Sequence, residues 1–212
     1  MTQSERAPLP IVVLLSGSGS NLQAIIDAVP AGLPVDIRAV ISNKMDAYGL
    51  ERARQAGIPT QVLSHRDYAD RESYDAALAA LIDGYGAQLV VLAGFMRILS
   101  DGFVRRYEGR MLNIHPSLLP RHRGLDTHTR ALAAGDGEHG ATVHFVSPEL
   151  DAGPIIIQAR VPVHPGDTPE SLAARVLEQE HRIYPQAIRW YAEGRLELKD
   201  GAALLDGKPV TP

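Results

Sequence analysis

IVVLLSGSGSNLQAIIDA, residues 11–28, is the stretch from which the rest of the chain is read. Ile11 to Leu15 form an apolar run with no polar face, as a parallel strand covered on both sides requires. The run breaks at Ser16–Gly19, and Ser20 and Asn21 then open a helix. A strand that enters a helix through a glycine turn predicts an α/β chain if the alternation continues.

It continues through the first half. VDIRAVIS at 35–42 reads as a second strand, AYGLERARQA at 47–56 as a helix closed by Gly57, and 60–63 as a short third strand. Residues 67–83 have helical spacing through Tyr74, Leu78, Leu81 and Ile82, and LVVLAG at 89–94 is again a buried strand. The pattern predicts a doubly wound, mostly parallel sheet with ligand sites at the carboxyl ends of its strands. The second half reads differently. MLNIH at 111–115, ATVHFV at 141–146 and PIIIQARVPV at 154–163 are strands separated by loops rather than regular helices, which predicts antiparallel additions. Thr168 caps a long helix that has Pro169 at its first position and runs to about Glu193. Pro185 is expected to kink that helix or divide it near Tyr184.

At 212 residues, 45% hydrophobic and 22% charged, the chain fits one globular domain with a sizeable core, preceded by a disordered leader at 1–9. A formal charge of -4 argues against a nucleic-acid partner, although Arg121, His122 and Arg123 form a local basic cluster. The absence of cysteine excludes disulfides, thiolate metal sites and cysteine nucleophiles. MTQSERAPLP lacks the features of a secretory signal, and no apolar run approaches the ~20 residues of a membrane span, so no membrane partner and a cytoplasmic location are expected.

Two stretches carry candidate chemistry. In SGSGSNLQAIIDA, Gly17 and Gly19 permit a tight turn, and the free N–H groups of the following helix suit a phosphate. A dinucleotide fingerprint fails twice, because Leu22 stands at the third glycine and Ser42, Asn43 and Lys44 follow the second strand where an acid belongs. Walker A fails as well, since no Gly-Lys-Ser/Thr follows. A plain strand-to-helix turn is the competing reading of this loop. In MLNIHPSLLP, alternation places Asn113 and His115 on one face with Met111, and Leu112 and Ile114 on the other. Pro116 keeps His115 out of helical geometry, so both polar groups stand together at a strand end. Either they face a ligand or His115 is a buried histidine bonded to backbone. Asp151, in the turn PELDAGPI, is a candidate partner or an ordinary turn residue.

LLSGSGSNLQAIIDA, LAGFMRILS, MLNIHPSLLP, HGATVHFV and ELDAGPIIIQARVPV together resemble, in order and spacing, the folate-dependent phosphoribosylglycinamide formyltransferases of purine synthesis, over residues 10–208. The resemblance implies a Rossmann-like formyltransferase fold. It also implies formyl transfer from 10-formyltetrahydrofolate to the amine of glycinamide ribonucleotide, without a metal, by a monomer or homodimer. At matching positions, Asn113, His115 and Asp151 resemble the catalytic trio, and Gly19, Ser20 and Asn21 the cradle of the substrate phosphate. Arg97, Ile98, Leu99, Asn113, Ser147, Pro148 and Asp151 resemble the folate pocket, and Arg71 the arginine that meets the folate tail. Glu180 matches a glutamate that holds the ribose hydroxyls. Its place at i+8 from Leu172 and i+4 from Val176 puts a carboxylate on an apolar helical stripe, where it needs a ribose diol or an arginine as partner. Asp126, Leu177 and the pair His122–Arg123 depart from the residues common in bacterial relatives.

The chemistry expected is direct attack by the substrate amine, with Asn113 and protonated His115 donating to the oxyanion and Asp151 stabilising the imidazolium and ordering a proton-relay water. His144, which alternates with Thr142 and Val146, either supports the trio or is a core histidine. Methionyl-tRNA formyltransferase and formyltetrahydrofolate hydrolase share part of the pattern but carry additional domains. A phosphate-ligand sensor would use the loop without the trio. A metal hydrolase built on His115, His122, His128 and His144 lacks an HExxH pattern.

Overall fold

A computed structural model describes residues 6–212. Its centre is a seven-stranded sheet built from β1 (Leu9–Leu15), β2 (Val35–Ser42), β3 (Thr60–Val62), β4 (Leu89–Leu92), β5 (Met111–His115), β6 (Glu138–Phe145) and β7 (Ile155–Pro162). The spatial order is β3-β2-β1-β4-β5-β6-β7. The first five strands pair in parallel, whereas β6 runs antiparallel to β5 and β7 antiparallel to β6. The α/β architecture and the antiparallel additions are therefore as expected. The order turns around between β1 and β4, which makes the crevice beyond their carboxyl ends the place for a ligand.

Strand alternation divides the core between the two faces of the sheet. Ile11, Val13, Leu15, Val91, Leu112 and Ile114 pack with α1 (Ser20–Ala28), α2 (Tyr48–Gln55), α5 (Thr127–Ala133) and α6 (Pro169–Ala192). Val12, Leu14, Ile41, Val90 and Met111 pack with α3 (Arg71–Gly84) and α4 (Asp101–Arg106). Met111 thus marks the face that Asn113 and His115 share, and Leu112 and Ile114 the other.

Several expectations are corrected. α3 starts at Arg71, because the Asp70 side chain accepts from the Ser73 N–H at 2.7 Å and fixes the cap there; His65–Asp67 upstream is one 3-10 turn. α5 fills a stretch expected to be loop, and α4 one for which periodicity predicts no element; six- and seven-residue helices are too short to display a period. Pro185 does not divide α6. The Tyr184 hydroxyl lies 2.6 Å from the Leu92 carbonyl and 3.1 Å from that of Leu112, and Ile183, Ala187 and Ile188 are fully buried, so packing on the sheet carries the helix across the missing N–H. The Thr168 cap is present as a reciprocal capping box with Ser171. Beyond α6, β8 (Leu196–Lys199), β9 (Ala202–Leu205) and β10 (Lys208–Pro209) make a small antiparallel sheet, with strands too short for periodicity to predict. Of the expected leader, residues 1–5 lie outside the described residues. Leu9 already belongs to β1, and Arg6 donates to the Glu193 carbonyl at 3.0 Å.

Candidate active site

The crevice has two ends. At the β1 end, Gly19 takes a left-handed φ of 73° before α1, and a Cβ there would lie 2.5 Å from the Gly49 Cα. Glycine is required by both the conformation and the close approach of α2. The turn is stitched to α2 by the Gly49 N–H on the Gly17 carbonyl at 3.0 Å and by Arg52 Nε on the Ser18 carbonyl at 2.8 Å. No side chain caps α1, so its first N–H groups face the crevice with the positive end of the helix dipole. Asn21 Nδ2 donates to Glu180 Oε1 at 3.2 Å, while Asn21 Oδ1 is buried without a partner. Glu180 is 8% exposed, and burial pushes its carboxyl above the usual range, partly countered by the Asn21 hydrogen bond. The partner found for this carboxylate is thus an amide from the glycine loop rather than an arginine.

At the β5 end, alternation puts Asn113 and His115 on the face of Met111, the residue of this strand that packs with α3 and α4. Asn113 lies opposite His144 in the β5–β6 ladder, and its Nδ2 is 3.3 Å from His144 Nε2. His144 Nδ1 sits 2.9 Å from the Phe145 carbonyl. A carbonyl only accepts, so Nδ1 carries the hydrogen and Nε2 receives one from the Asn113 amide. This leaves the second amide hydrogen of Asn113 unclaimed by His144. His144 is 2% exposed, and burial keeps its ring below the ordinary histidine range, consistent with a neutral acceptor.

His115 Nδ1 faces Asp151 Oδ2 at 3.5 Å, both side chains being almost fully buried. Asp151 reaches this point from a backbone with φ of 50°. The turn then passes Gly153, where a Cβ would fall 1.7 Å from the Phe145 carbonyl, so the loop can lie against β6 only with glycine there. The other nitrogen, His115 Nε2, donates to the His122 carbonyl at 2.9 Å, and the Gly124 N–H donates to Asp151 Oδ2 at 2.9 Å. The expectation that His115 offers a free N–H to the reacting oxygen therefore changes: Nε2 is committed to the loop, and Nδ1 is the nitrogen turned toward the carboxylate.

The described residues match the formyl transferase family model over 9–188. The chain is 58% identical over 203 residues to the phosphoribosylglycinamide formyltransferase of Escherichia coli (strain K12), covering 95% of this chain and 96% of that one. It belongs to the phosphoribosylglycinamide formyltransferase family. Among solved structures, the Coxiella burnetii phosphoribosylglycinamide formyltransferase in complex with CHES superposes with a TM-score of 0.93 at 56% identity, over 96% of each chain. Glycinamide ribonucleotide transformylase 1 from Symbiobacterium toebii gives 0.92 at 48% identity, over 95% of each.

Against that family frame, an open groove of about 760 Å³ beside α3 and α4 brings together four of the residues expected at the folate: Arg71, Ile98, Leu99 and Pro148. It does not include Arg97, Ser147, Asn113 or Asp151. Arg97 instead lies over the Tyr74 ring at 5.2 Å, with its Nε buried and unpartnered, and the Ser147 hydroxyl donates to the Glu149 carbonyl at 3.2 Å. The four histidines considered as metal ligands are dispersed: His115 to Asp151, His122 to Asp136, His128 to His139 and His144 to Asn113. Among the described residues, no three potential ligands converge.

Sequence reasoning missed three polar groups. Ser16, at the end of β1, donates to Asn43 Oδ1 at 2.5 Å and accepts from the Met96 N–H at 2.8 Å, tying the strand ends of β1, β2 and β4 together. Asp75 is buried and accepts from the Ser100 N–H at 2.6 Å, fixing the edge of the groove. A lone aspartate at a helical core position was the available signal for Asp75. Ser16 and Asn43 were visible only as loop residues.

Proposed function

We propose that this chain, as a single formyltransferase domain, transfers the formyl group of 10-formyltetrahydrofolate to the amine of glycinamide ribonucleotide in purine synthesis. The observation that carries the reading is the pairing of His115 Nδ1 with Asp151 Oδ2 at 3.5 Å beside Asn113, at the exit of the last parallel strand. In this reading the substrate phosphate meets the N–H groups at Gly19, Ser20 and Asn21, and the ribose hydroxyls meet Glu180. Asn21 and Glu180 form one polar unit, so the ribonucleotide is held by groups already oriented toward each other. The folate enters along the groove of Ile98, Leu99 and Pro148, with Arg97, Ser147 and the 147–151 backbone toward its reactive end and Arg71 toward its acidic tail. A carboxylate tail suits a guanidinium through paired N–H donors.

The unprotonated amine attacks the formyl carbon, a C–N bond forms and the carbon-to-folate nitrogen bond breaks. One proton leaves the amine and one reaches the departing nitrogen, so the net transfer neither consumes nor releases a proton. The oxygen that becomes negative receives the amide hydrogen of Asn113 that His144 does not hold. Protonated His115 supplies positive charge from the Nδ1 side, Asp151 balances it, and the same carboxylate orders a water that relays the proton. The amine is the nucleophile, and no residue of the chain forms a covalent intermediate.

The testing assay combines purified protein, glycinamide ribonucleotide and 10-formyltetrahydrofolate and follows release of tetrahydrofolate. Turnover at enzyme-like rates is expected. Tight ribonucleotide binding with no transfer by folded protein would replace this reading with that of a phosphate-ligand sensor.

A further inference from the structure

His122 has a left-handed φ of 51°, a conformation disfavoured for a residue with a side chain, and it stands in the loop that touches both His115 and Asp151. What holds it there comes from outside the loop. Its Nε2–H donates to Asp136 Oδ2 at 2.7 Å, with both side chains largely buried. Asp136 is fixed in turn at the end of α5 by its own N–H on the Ala131 carbonyl at 3.2 Å, immediately before β6. The His122 ring also meets the edge of the buried His139 ring, centroids 6.1 Å apart.

The backbone on either side is held as well, by the Ser117 hydroxyl on the Arg121 carbonyl at 2.7 Å and by Arg130 on the Arg123 carbonyl at 2.6 Å, and the His122–Asp136 bond fixes the residue between them. The His122 carbonyl takes the hydrogen of His115 Nε2, which sets the ring orientation and turns Nδ1 to Asp151. Two residues on, the Gly124 N–H holds Asp151 Oδ2, the same oxygen that faces Nδ1. Both loop contacts therefore converge on one nitrogen–oxygen pair. We propose that His122 and Asp136 are positioning residues for His115 and Asp151, acting through the backbone of residues 122–124 as a clamp on the pair. The inference rests on the catalytic reading of His115 and Asp151 given above.

The test uses the full chain. kcat, both KM values and Tm are measured for Asp136→Ala, His122→Phe and Asp136→Asn, each alone and in a His115→Ala background, with single-turnover rates where turnover is slow. Asp136→Ala and His122→Phe should each lower kcat about tenfold, with both KM values within about twofold, as a small misplacement of a reacting group does. Asp136→Asn, whose amide oxygen still accepts from Nε2, should recover most of the loss. In the His115→Ala background the same substitutions should cost much less than in the parent chain, because the contact through His115 Nε2 is gone and only the Gly124 hold on Asp151 remains. Unchanged or raised kcat in folded Asp136→Ala and His122→Phe overturns the proposal, as does an equal fractional loss with and without His115. Should Asp136→Ala fail to fold, His122→Phe in the two backgrounds decides. Near-normal transfer by His115→Ala would instead remove the underlying catalytic reading. An impaired His115→Ala beside unaffected anchor variants removes only the clamp.

Discussion

The two ends of the crevice are supported in opposite ways. The β1 end is made by regular elements: a glycine turn stitched to α2, an uncapped helix start, and a carboxylate delivered by the middle of α6. The β5 end is made by one short strand and two irregular loops, in which His122, Asp126 and Asp151 all have positive φ without being glycine. A binding site for fixed groups can be built from backbone and helix termini. The His115–Asp151 pair joins a side chain from the end of a strand to one from a loop, and the loop reaches it through a backbone conformation that regular structure does not provide.

The sharpest way to break this contrast is to remove the chemistry from one end only. His115→Ala and Asp151→Asn should each lower kcat by roughly two or more orders of magnitude with little change in ribonucleotide KM, the loss expected for an acid–base or charge-stabilising group. Steady-state kinetics on both variants checks this, and near-normal kcat in both would remove the catalytic assignment. Glu180→Gln should do the converse. It exchanges a charged acceptor for a neutral one, a difference of about 1–1.5 kcal/mol, and should raise ribonucleotide KM roughly five- to tenfold while kcat holds within a few fold. A loss confined to kcat would place Glu180 at the wrong end of the crevice.

His144→Phe tests whether the β5 end depends on support as argued. It keeps an aromatic ring and removes the acceptor that orients Asn113, so kcat should fall by about tenfold without a change in KM. Unaltered kcat would make His144 a packing residue. The smallest effect concerns stability. Burial, then the neighbouring His128 and His122, hold His139 down from the ordinary 6.5 to about 4. The native state keeps this ring neutral, whereas the unfolded chain takes up a proton below 6.5. Its contribution is therefore complete above that pH and is lost as pH falls toward about 4. Urea unfolding of His139→Gln across this range should show a shallower decline than the parent chain. An identical slope would mean that other groups set the acid sensitivity.

Much of this was legible in the sequence because it follows from periodicity. The runs Ile11–Leu15 and Leu89–Leu92 are what strands covered on both faces require, and alternation alone put Asn113 and His115 together. The glycine loop was legible as a turn, but its reason for glycine at position 19 lay in the approach of Gly49, thirty residues away in the chain. Glu180 was recognisable as a carboxylate in need of a partner, while the identity of that partner, Asn21, depended on how α6 crosses α1. Pro185 does not divide α6 because the packing of Tyr184 and Ile188 on the sheet overrules local propensity. α5 and the 121–128 loop were not legible, since short helices and left-handed residues leave no periodic trace, and with them went the contacts of His122 and Asp136.

The central claim is that His115 and Asp151 work as one unit at the exit of β5. A double-mutant cycle on the single-turnover rate of formyl transfer, with His115→Ala, Asp151→Asn and the combination, tests it most directly. The account predicts that Asp151→Asn costs far less in the His115→Ala background than in the parent chain, the remainder being the relay water that Asp151 orders. Losses that multiply, each substitution slowing the other's variant by its full factor, would show two independent groups and contradict it.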